Sequence, residues 1–237
     1  MNAATLPAGE SLFDRDGWWD PRCRAFASLR LVTAFRLALL REWLPDCGRG
    51  LVVDLGSGGG LLAVPLAQAG ARVVAVDLAQ KALAELGRQG VAGVHAVRSS
   101  IAEAPLRDGC ADLVLLADVL EHVDPTLLPQ VVAEAARLLR PGGHLFVNTI
   151  ARTFRARLLA ITLAEGSGLV PRGTHRADWF VPPAELDHCA NAAGLVRITR
   201  CGESVRPLAT LRRRAIVLRK SRDFSVGYAV LYRRRSA

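Results

Sequence analysis

The chain has 237 residues, a formal net charge of +9, and 51% hydrophobic residues, enough for one domain with a large core and too few for two full enzymes. No apolar run reaches the ~18 residues of a membrane span, the N-terminus lacks a basic region followed by an apolar one, and Cys23, Cys47, Cys110, Cys189 and Cys201 form no C-x-x-C pair. A cytosolic chain with neither signal peptide, zinc site nor disulfide framework is therefore expected, its charge confined to the segment from Arg197 onward, where 12 basic residues meet 2 acidic ones and leave 19 against 20 before it.

Residues 10 to 25 are polar with embedded aromatics, and Trp18-Trp19 are too apolar for a free tail, so this stretch is expected to pack as a cap. Phe26, Leu29, Thr33, Leu37, Leu40 and Leu44 recur at helical spacing up to Pro45. Strands then alternate with helices: strand 51 to 54, helix 61 to 69, strand 72 to 76, helix 79 to 89, strands 94 to 97 and 112 to 116, helix 126 to 140, strand 144 to 150. The stop after the last helix is Pro141-Gly142-Gly143. This alternation predicts a parallel sheet with helices on both faces, whose ligands bind at the carboxyl ends of the strands near the switch point. There the glycine loop, Asp77 and residues 117 to 122 would converge.

Leu51-Val-Val-Asp-Leu-Gly-Ser-Gly-Gly-Gly60 reads as a buried strand running into a glycine turn that lets the backbone approach a ligand closely. Asp77 follows Gly56 by 21 residues, at the end of the next strand, where a carboxylate can accept both hydroxyls of a ribose. That spacing suits NAD as well as S-adenosylmethionine (SAM). Asp54 favours the methyl donor, since it would repel a pyrophosphate but could hold the ammonium end of a methionine. So does Leu61, which stands where G-x-G-x-x-G has its third glycine. A short-chain dehydrogenase would also need a Tyr-x-x-x-Lys pair, and neither Tyr228 nor Tyr232 is followed by one.

After Ile150 the pattern changes. Residues 152 to 175 form an insertion whose first half is amphipathic, with Phe154, Leu158 and Ile161 on one face and Arg152, Arg155 and Arg157 near its start. It reads either as a lid packed on the sheet or as a membrane-contacting segment. The basic C-terminal segment likewise fits either an anionic surface or a solvated pair of terminal strands. A helix at about 183 to 193 and strands near 195 to 201, 211 to 218 and 225 to 232 complete the sheet.

Taken together these residues resemble the class I SAM-dependent methyltransferases and, within them, the O-methyltransferases of ubiquinone biosynthesis. Asp54-Leu-Gly-Ser-Gly-Gly-Gly60 identifies the superfamily; Trp18-Trp19-Asp20, Leu120-Glu-His-Val123, Asn148-Thr-Ile-Ala-Arg-Thr153, Leu159-Ala-Ile161 with Ala164-Glu165, and Pro171-Arg-Gly-Thr-His175 are more specific. The resemblance implies a Rossmann-like α/β fold with a mostly parallel seven-stranded sheet, an antiparallel terminal strand and helices on both faces. It implies one methyltransferase domain made of a cap (1–45), a SAM-binding core (46–150), an insertion (151–180) and a C-terminal helix with strands (181–237).

It further implies that Arg36 binds the donor through its carboxylate, and that Gly56, Asp77 and Ala117 are donor positions, beside Asp54 and Gly58. The family's metal pattern appears as Asp118, Glu121 and His122, with aspartate in place of the usual glutamate. At this spacing two carboxylates and an imidazole can share a helical face and hold Mg2+ or a similar hard ion. Alternatively Glu121 caps the next segment and His122 is a wall of the pocket. His122, with Glu121, is in either case a candidate general base, and Thr174 and His175 are candidates for the acceptor pocket. The expected activity is methyl transfer from SAM to a phenolic oxygen of a polyprenylated catechol or similar quinone precursor, by a cytoplasmic protein peripheral on the inner face of the membrane. No specific nucleic-acid partner is expected. A nucleoside-sensing or nucleic-acid-binding module would use the same glycine loop and basic terminus but would not need Glu121, His122 or the Gly-Thr-His loop.

Overall fold

A computed structural model describes residues 10–47 and 49–236, so residues 1–9 of the expected cap lie outside it. Its centre is a sheet of β1 (Leu51–Leu55), β2 (Arg72–Asp77), β3 (Val94–Arg98), β4 (Ala111–Ala117), β5 (Leu139–Ile150), β6 (Leu195–Val205), β7 (Leu218–Ser221) and β8 (Gly227–Arg234). The spatial order is β3-β2-β1-β4-β5-β8-β6-β7, with the first five strands parallel and β8 antiparallel to both its neighbours. Strand order reverses between β1 and β4, and the crevice above their carboxyl ends is where ligands of such sheets bind.

The inner strands read as continuous apolar runs because both of their faces are covered. Val53, Leu55, Val114, Leu116 and Val147 pack under α5 (Leu128–Leu138) and α7 (Pro183–Ala192). Their strand neighbours Val52, Leu113, Leu115 and Phe146 face the opposite layer of α2 (Ala27–Trp43), α3 (Ala63–Gln68) and α4 (Gln80–Arg88). Two buried tyrosines tie α7 to β8: the Tyr228 hydroxyl donates to the Val181 carbonyl (2.9 Å) and that of Tyr232 to Asp187 (2.8 Å).

The stretch after the short helix α1 (Glu10–Phe13) does pack as a cap. Trp18 is buried and stacks on Phe26 at 4.4 Å, and Glu85 of α4 accepts the backbone N–H groups of Gly17 (2.7 Å) and Trp19 (3.0 Å).

The C-terminal third departs from expectation. Residues 207 to 213 form a helix, α8 (Pro207–Arg213), which takes the first residues of the strand expected near 211 to 218, because Pro207 occupies a first-turn position where its fixed φ initiates a helix. The strand that follows, β7, is short and lies later than the expected 211 to 218; it makes the eight strands that the pattern gave, one more than the seven the resemblance implied. The helix expected to reach residue 140 ends at Leu138, and β5 begins before Pro141-Gly142-Gly143; pairing jumps from Ala111↔Leu139 to Leu113↔His144, so β5 takes up the turn as a bulge. The insertion opens as α6 (Phe154–Arg157), capped by the Thr153 hydroxyl, and continues as a π-helix over Leu158–Glu165. Its wider turn shifts the expected stripe: Phe154 (80% exposed), Leu158 and Leu163 face outward, while Ile161 is half-buried.

Candidate active site

One cavity of about 1190 Å³ opens above the switch point, and every candidate residue lines it: Arg36, Asp54, Gly56, Gly58, Asp77, Ala117, Asp118, Glu121, His122, Thr174 and His175. A pocket for a single small ligand rarely exceeds ~1000 Å³, so there is room for two. The carboxyl ends of β1, β2 and β4 supply one half of the lining. The other half comes from α2, the insertion and the chain around β7, with Leu159, Ala160, Val170, Ile216 and Leu218 giving it an apolar wall.

The glycine loop is held open by conformation and by packing. Gly56 (φ 79°) and Gly58 (φ 50°) lie in the left-handed region, and a Cβ on Gly56 would stand 2.4 Å from Val119. On Gly58 it would stand 2.3 Å from the Trp18 ring, so the cap rests directly on this loop. Asp77 organises the turn by accepting the N–H of Gly58 (2.7 Å) and of Ala79 (2.8 Å); burial raises its pKa in spite of these donors. Each of its oxygens keeps a lone pair for a further donor. Asp54 is buried at the end of β1 and makes no side-chain hydrogen bond among the described residues. Burial, with Asp77 adding to it, pushes its pKa up to about 7. The neighbouring Ser57 hydroxyl is also without a partner among the described residues. A cationic hydrogen-bond donor entering here would satisfy both groups.

Arg36, buried on α2, faces the same space with its fork already engaged. Nε and Nη2 donate to Glu203 of β6 (3.3 and 3.0 Å), and Nη1 to Asp118. Three of its five N–H donors are thereby engaged, so an incoming carboxylate would compete with Asp118 for Nη1, a constraint that the sequence did not disclose.

The expected metal cluster does not assemble. Asp118 precedes the 3-10 turn Leu120–His122 in a left-handed conformation (φ 55°), which takes it off the helical face it was expected to share. Its carboxylate is engaged by Arg36 and, through its other oxygen, by the Asn148 amide (3.3 Å). Glu121 is buried and accepts from the Thr149 hydroxyl (2.7 Å). Among the described residues no three His, Cys, Asp or Glu side chains come together as a metal site, so these residues do not fit Mg2+ as they stand. His122 lines the cavity between the rings of Phe13 (5.0 Å) and His175 (5.8 Å), and desolvation by its surroundings pulls its pKa down to about 4.

Thr174 reaches the cavity wall but spends its hydroxyl on the Pro171 carbonyl (2.6 Å). His175 does more: its Nδ1 lies 3.0 Å from Glu165, a buried carboxylate that also accepts the N–H groups of Gly173 (2.7 Å) and His175 (2.9 Å). Glu165 and Glu203 carried a signal in the sequence, as the one acid of residues 152 to 175 and one of two in the basic C-terminal segment. Arg98 at the end of β3, and Ser100 and Ile101 in the loop after it, also line the cavity. The rule that ligands bind at strand carboxyl ends would have found them.

The family model described as "Methyltransferase domain" matches residues 53–147. Among solved structures, a SAM-dependent methyltransferase from Thermotoga maritima superposes with a TM-score of 0.70 at 21% identity, covering 95% of this chain and 99% of its own. The magnesium protoporphyrin IX methyltransferase of Synechocystis, solved with bound SAH, gives 0.65 at 19%, covering 95% and 93%. These likenesses establish the fold. Three relatives named ubiquinone biosynthesis O-methyltransferase reach much higher identity: 37% in Ralstonia nicotianae (93% of this chain, 90% of the relative), 36% in Thiobacillus denitrificans (99% and 98%) and 35% in Cupriavidus pinatubonensis (92% and 85%). With more than a third of its residues identical over nearly its full length, the chain belongs to the ubiquinone biosynthesis O-methyltransferases, a family of SAM-dependent enzymes.

Proposed function

We propose that this chain methylates a phenolic hydroxyl of a polyprenylated catechol or similar quinone precursor, and that the cavity holds donor and acceptor side by side. The observation that carries the reading is a buried carboxylate, Asp54, with no side-chain hydrogen bond among the described residues, beside the Ser57 hydroxyl, which also lacks a partner among them, in a cavity that also has an apolar wall. A donor with an ammonium and a ribose fits here: Asp54 would take the ammonium, Asp77 the ribose hydroxyls, and Gly56, Gly58 and Ala117 the backbone and surface contacts. Arg36 would take the carboxylate in competition with Asp118. SAM supplies an electrophilic methyl on a sulfonium. What remains for the protein is to align the acceptor oxygen, exclude water and remove the phenolic proton. Glu121 and His122 line the same cavity. The apolar wall of Leu159, Ala160, Val170, Ile216 and Leu218 suits the start of a prenyl tail.

Membrane contact forms part of this proposal. Among the described residues no helix is long and apolar enough to cross a bilayer, but Phe154, Leu158 and Leu163 are exposed, as are Leu208 and Leu211 of α8 (74% and 75%), next to Arg212, Arg213 and Arg214. Apolar side chains beside arginines suit reversible binding to an anionic surface. Arg152 and Arg155 contribute less than their charge suggests, since they pair with Glu185 and Asp223.

The substrate class is tested in cells. A strain deleted for this gene should accumulate a demethylated, prenylated quinone precursor in its lipid extract and lose it on complementation. Unchanged quinone intermediates would refute the assignment.

A further inference from the structure

We propose that His175, held by Glu165, is the base that removes the phenolic proton, with Glu165 as its positioning residue. The inference rests on the phenolic-acceptor reading above. It assigns the proton transfer to a residue pair that neither spacing nor the Leu-Glu-His triplet singled out.

The geometry is that of a carboxylate and an imidazole acting as a unit. Burial alone would raise the Glu165 pKa, but the His175 ring and the N–H groups of Gly173 and His175 outweigh it and hold that pKa below its ordinary value. An ionised carboxylate can only accept, so Nδ1 of His175 carries the hydrogen and Nε2, on the other edge of the ring, carries the lone pair. His175 lines the cavity, and Nε2 lies on the side of the ring turned away from Glu165. The loop backbone is fixed by the same carboxylate, so one buried group sets the tautomer, the ring and the main chain around it.

His175 faces Glu165 from the π-helix and His122 from the 3-10 turn, with Glu121 acting on His122; Phe180 closes another side with its ring 6.0 Å away. His122 has no carboxylate hydrogen-bonded to it among the described residues; Glu121 and Glu165 act on it only through space. Glu165 contacts His175 directly, so the imidazolium formed on proton transfer would sit hydrogen-bonded to a carboxylate.

The step balances within the cavity. The phenolic O–H bond breaks as an N–H bond forms at Nε2, and the freed pair on oxygen makes the new O–C bond. The methyl carbon leaves sulfur with the C–S pair remaining on sulfur, and the proton passes from His175 to water after product leaves.

Acceptor acidity tests this. An unsubstituted catechol is protonated at pH 7.5 and needs a base, whereas 4-nitrocatechol is largely ionised there and does not. Turnover of both should be measured for wild type, His175→Ala, Glu165→Gln and His122→Ala, with SAH affinity by calorimetry as the check on folding. His175→Ala should lose about 10²- to 10⁴-fold in kcat on catechol while keeping 4-nitrocatechol turnover within about tenfold, at unchanged SAH affinity. Glu165→Gln should show the same selectivity at smaller size, with the acidic limb of its rate profile moved to lower pH. If His175→Ala cannot be folded, Glu165→Gln decides by that ratio and that limb. Equal losses on both acceptors, or a catechol-selective loss in His122→Ala instead, would overturn the proposal. A wild type that methylates neither acceptor overturns the underlying reading rather than the choice of base.

Discussion

Replacing Asp54 with asparagine separates what this carboxylate costs the fold from what it gives the ligand. In the ligand-free protein the group is buried without a hydrogen-bond partner among the described residues; desolvation first, and repulsion from Asp77 second, move its pKa from 3.8 to about 7. A raised folded-state pKa means that the fold favours the protonated form. The contribution to stability is therefore complete below pH ~4 and is lost as pH rises through about 7. That displacement corresponds to ~4 kcal/mol, a large share of the ~5 to 15 kcal/mol that holds a domain together. Asparagine stays neutral throughout but leaves an amide unpaired, so the variant should be more stable than wild type at pH 8 by about 2 to 4 kcal/mol, with the gap closing toward pH 5. Denaturant unfolding without ligand across this range measures it. Donor binding should move in the opposite direction. Losing a charge-assisted contact of ~1.5 to 3 kcal/mol lowers SAM affinity at pH 8 by about one to two decades. Wild-type affinity should also rise between pH 6 and 8, while that of the variant stays flat. A variant less stable than wild type at pH 8, or one with undiminished SAM affinity there, would refute the assignment of Asp54 as an ammonium site kept waiting at the expense of stability.

Other perturbations address the rest of the cavity. Asp77→Ala removes both the ribose contact and the two bonds that set the glycine turn, and should weaken SAM and SAH alike by about one to two decades; calorimetry showing unchanged affinity removes Asp77 from the site. Arg36→Lys keeps the charge but loses the fork that spans Glu203 and Asp118, and should cost about 2 to 4 kcal/mol in unfolding free energy. It should weaken SAM while leaving 5′-methylthioadenosine, which has no carboxylate, unaffected. Parallel losses for the two ligands would show that Arg36 does not address the carboxylate. Replacing Phe154 and Leu158 with serine should reduce co-sedimentation with anionic liposomes at low salt and turnover of tailed acceptors, and should spare a soluble catechol. Equal loss on tailed and soluble acceptors would make α6 a structural lid.

Much of this could be read from the residues because the central strands are governed by local rules. Buried parallel strands must be apolar throughout, and a chain that turns sharply against a ligand needs the glycines of Gly56-Ser-Gly-Gly-Gly60. These rules placed β1 to β5 and gathered Asp54, Asp77 and residues 117 to 122 in one cavity. They fail where tertiary partners decide. Asp118 was expected beside Glu121 and His122, but a left-handed φ and the pull of Arg36 take it elsewhere, and Arg36 comes from a helix 82 residues earlier in the chain. Glu203 meets that arginine across 167 residues, beyond the reach of any periodicity. A strand was expected near 211 to 218, yet Leu211 sits exposed with Leu208 on a helix whose start is fixed by Pro207. Glu165 was visible as a lone acid and as part of a family motif, but its significance depends on the π-helix that brings it under the 173–175 loop.

The most direct test of the account is transfer itself. Purified protein incubated with SAM labelled in its methyl group and a soluble catechol, followed by mass spectrometry of the products, should yield SAH and a mono-O-methylated catechol in equal amounts, with the label on oxygen. SAM left intact with every phenolic acceptor tried, or label found on carbon or nitrogen, would contradict the central claim that this cavity aligns a sulfonium methyl with a phenolic oxygen.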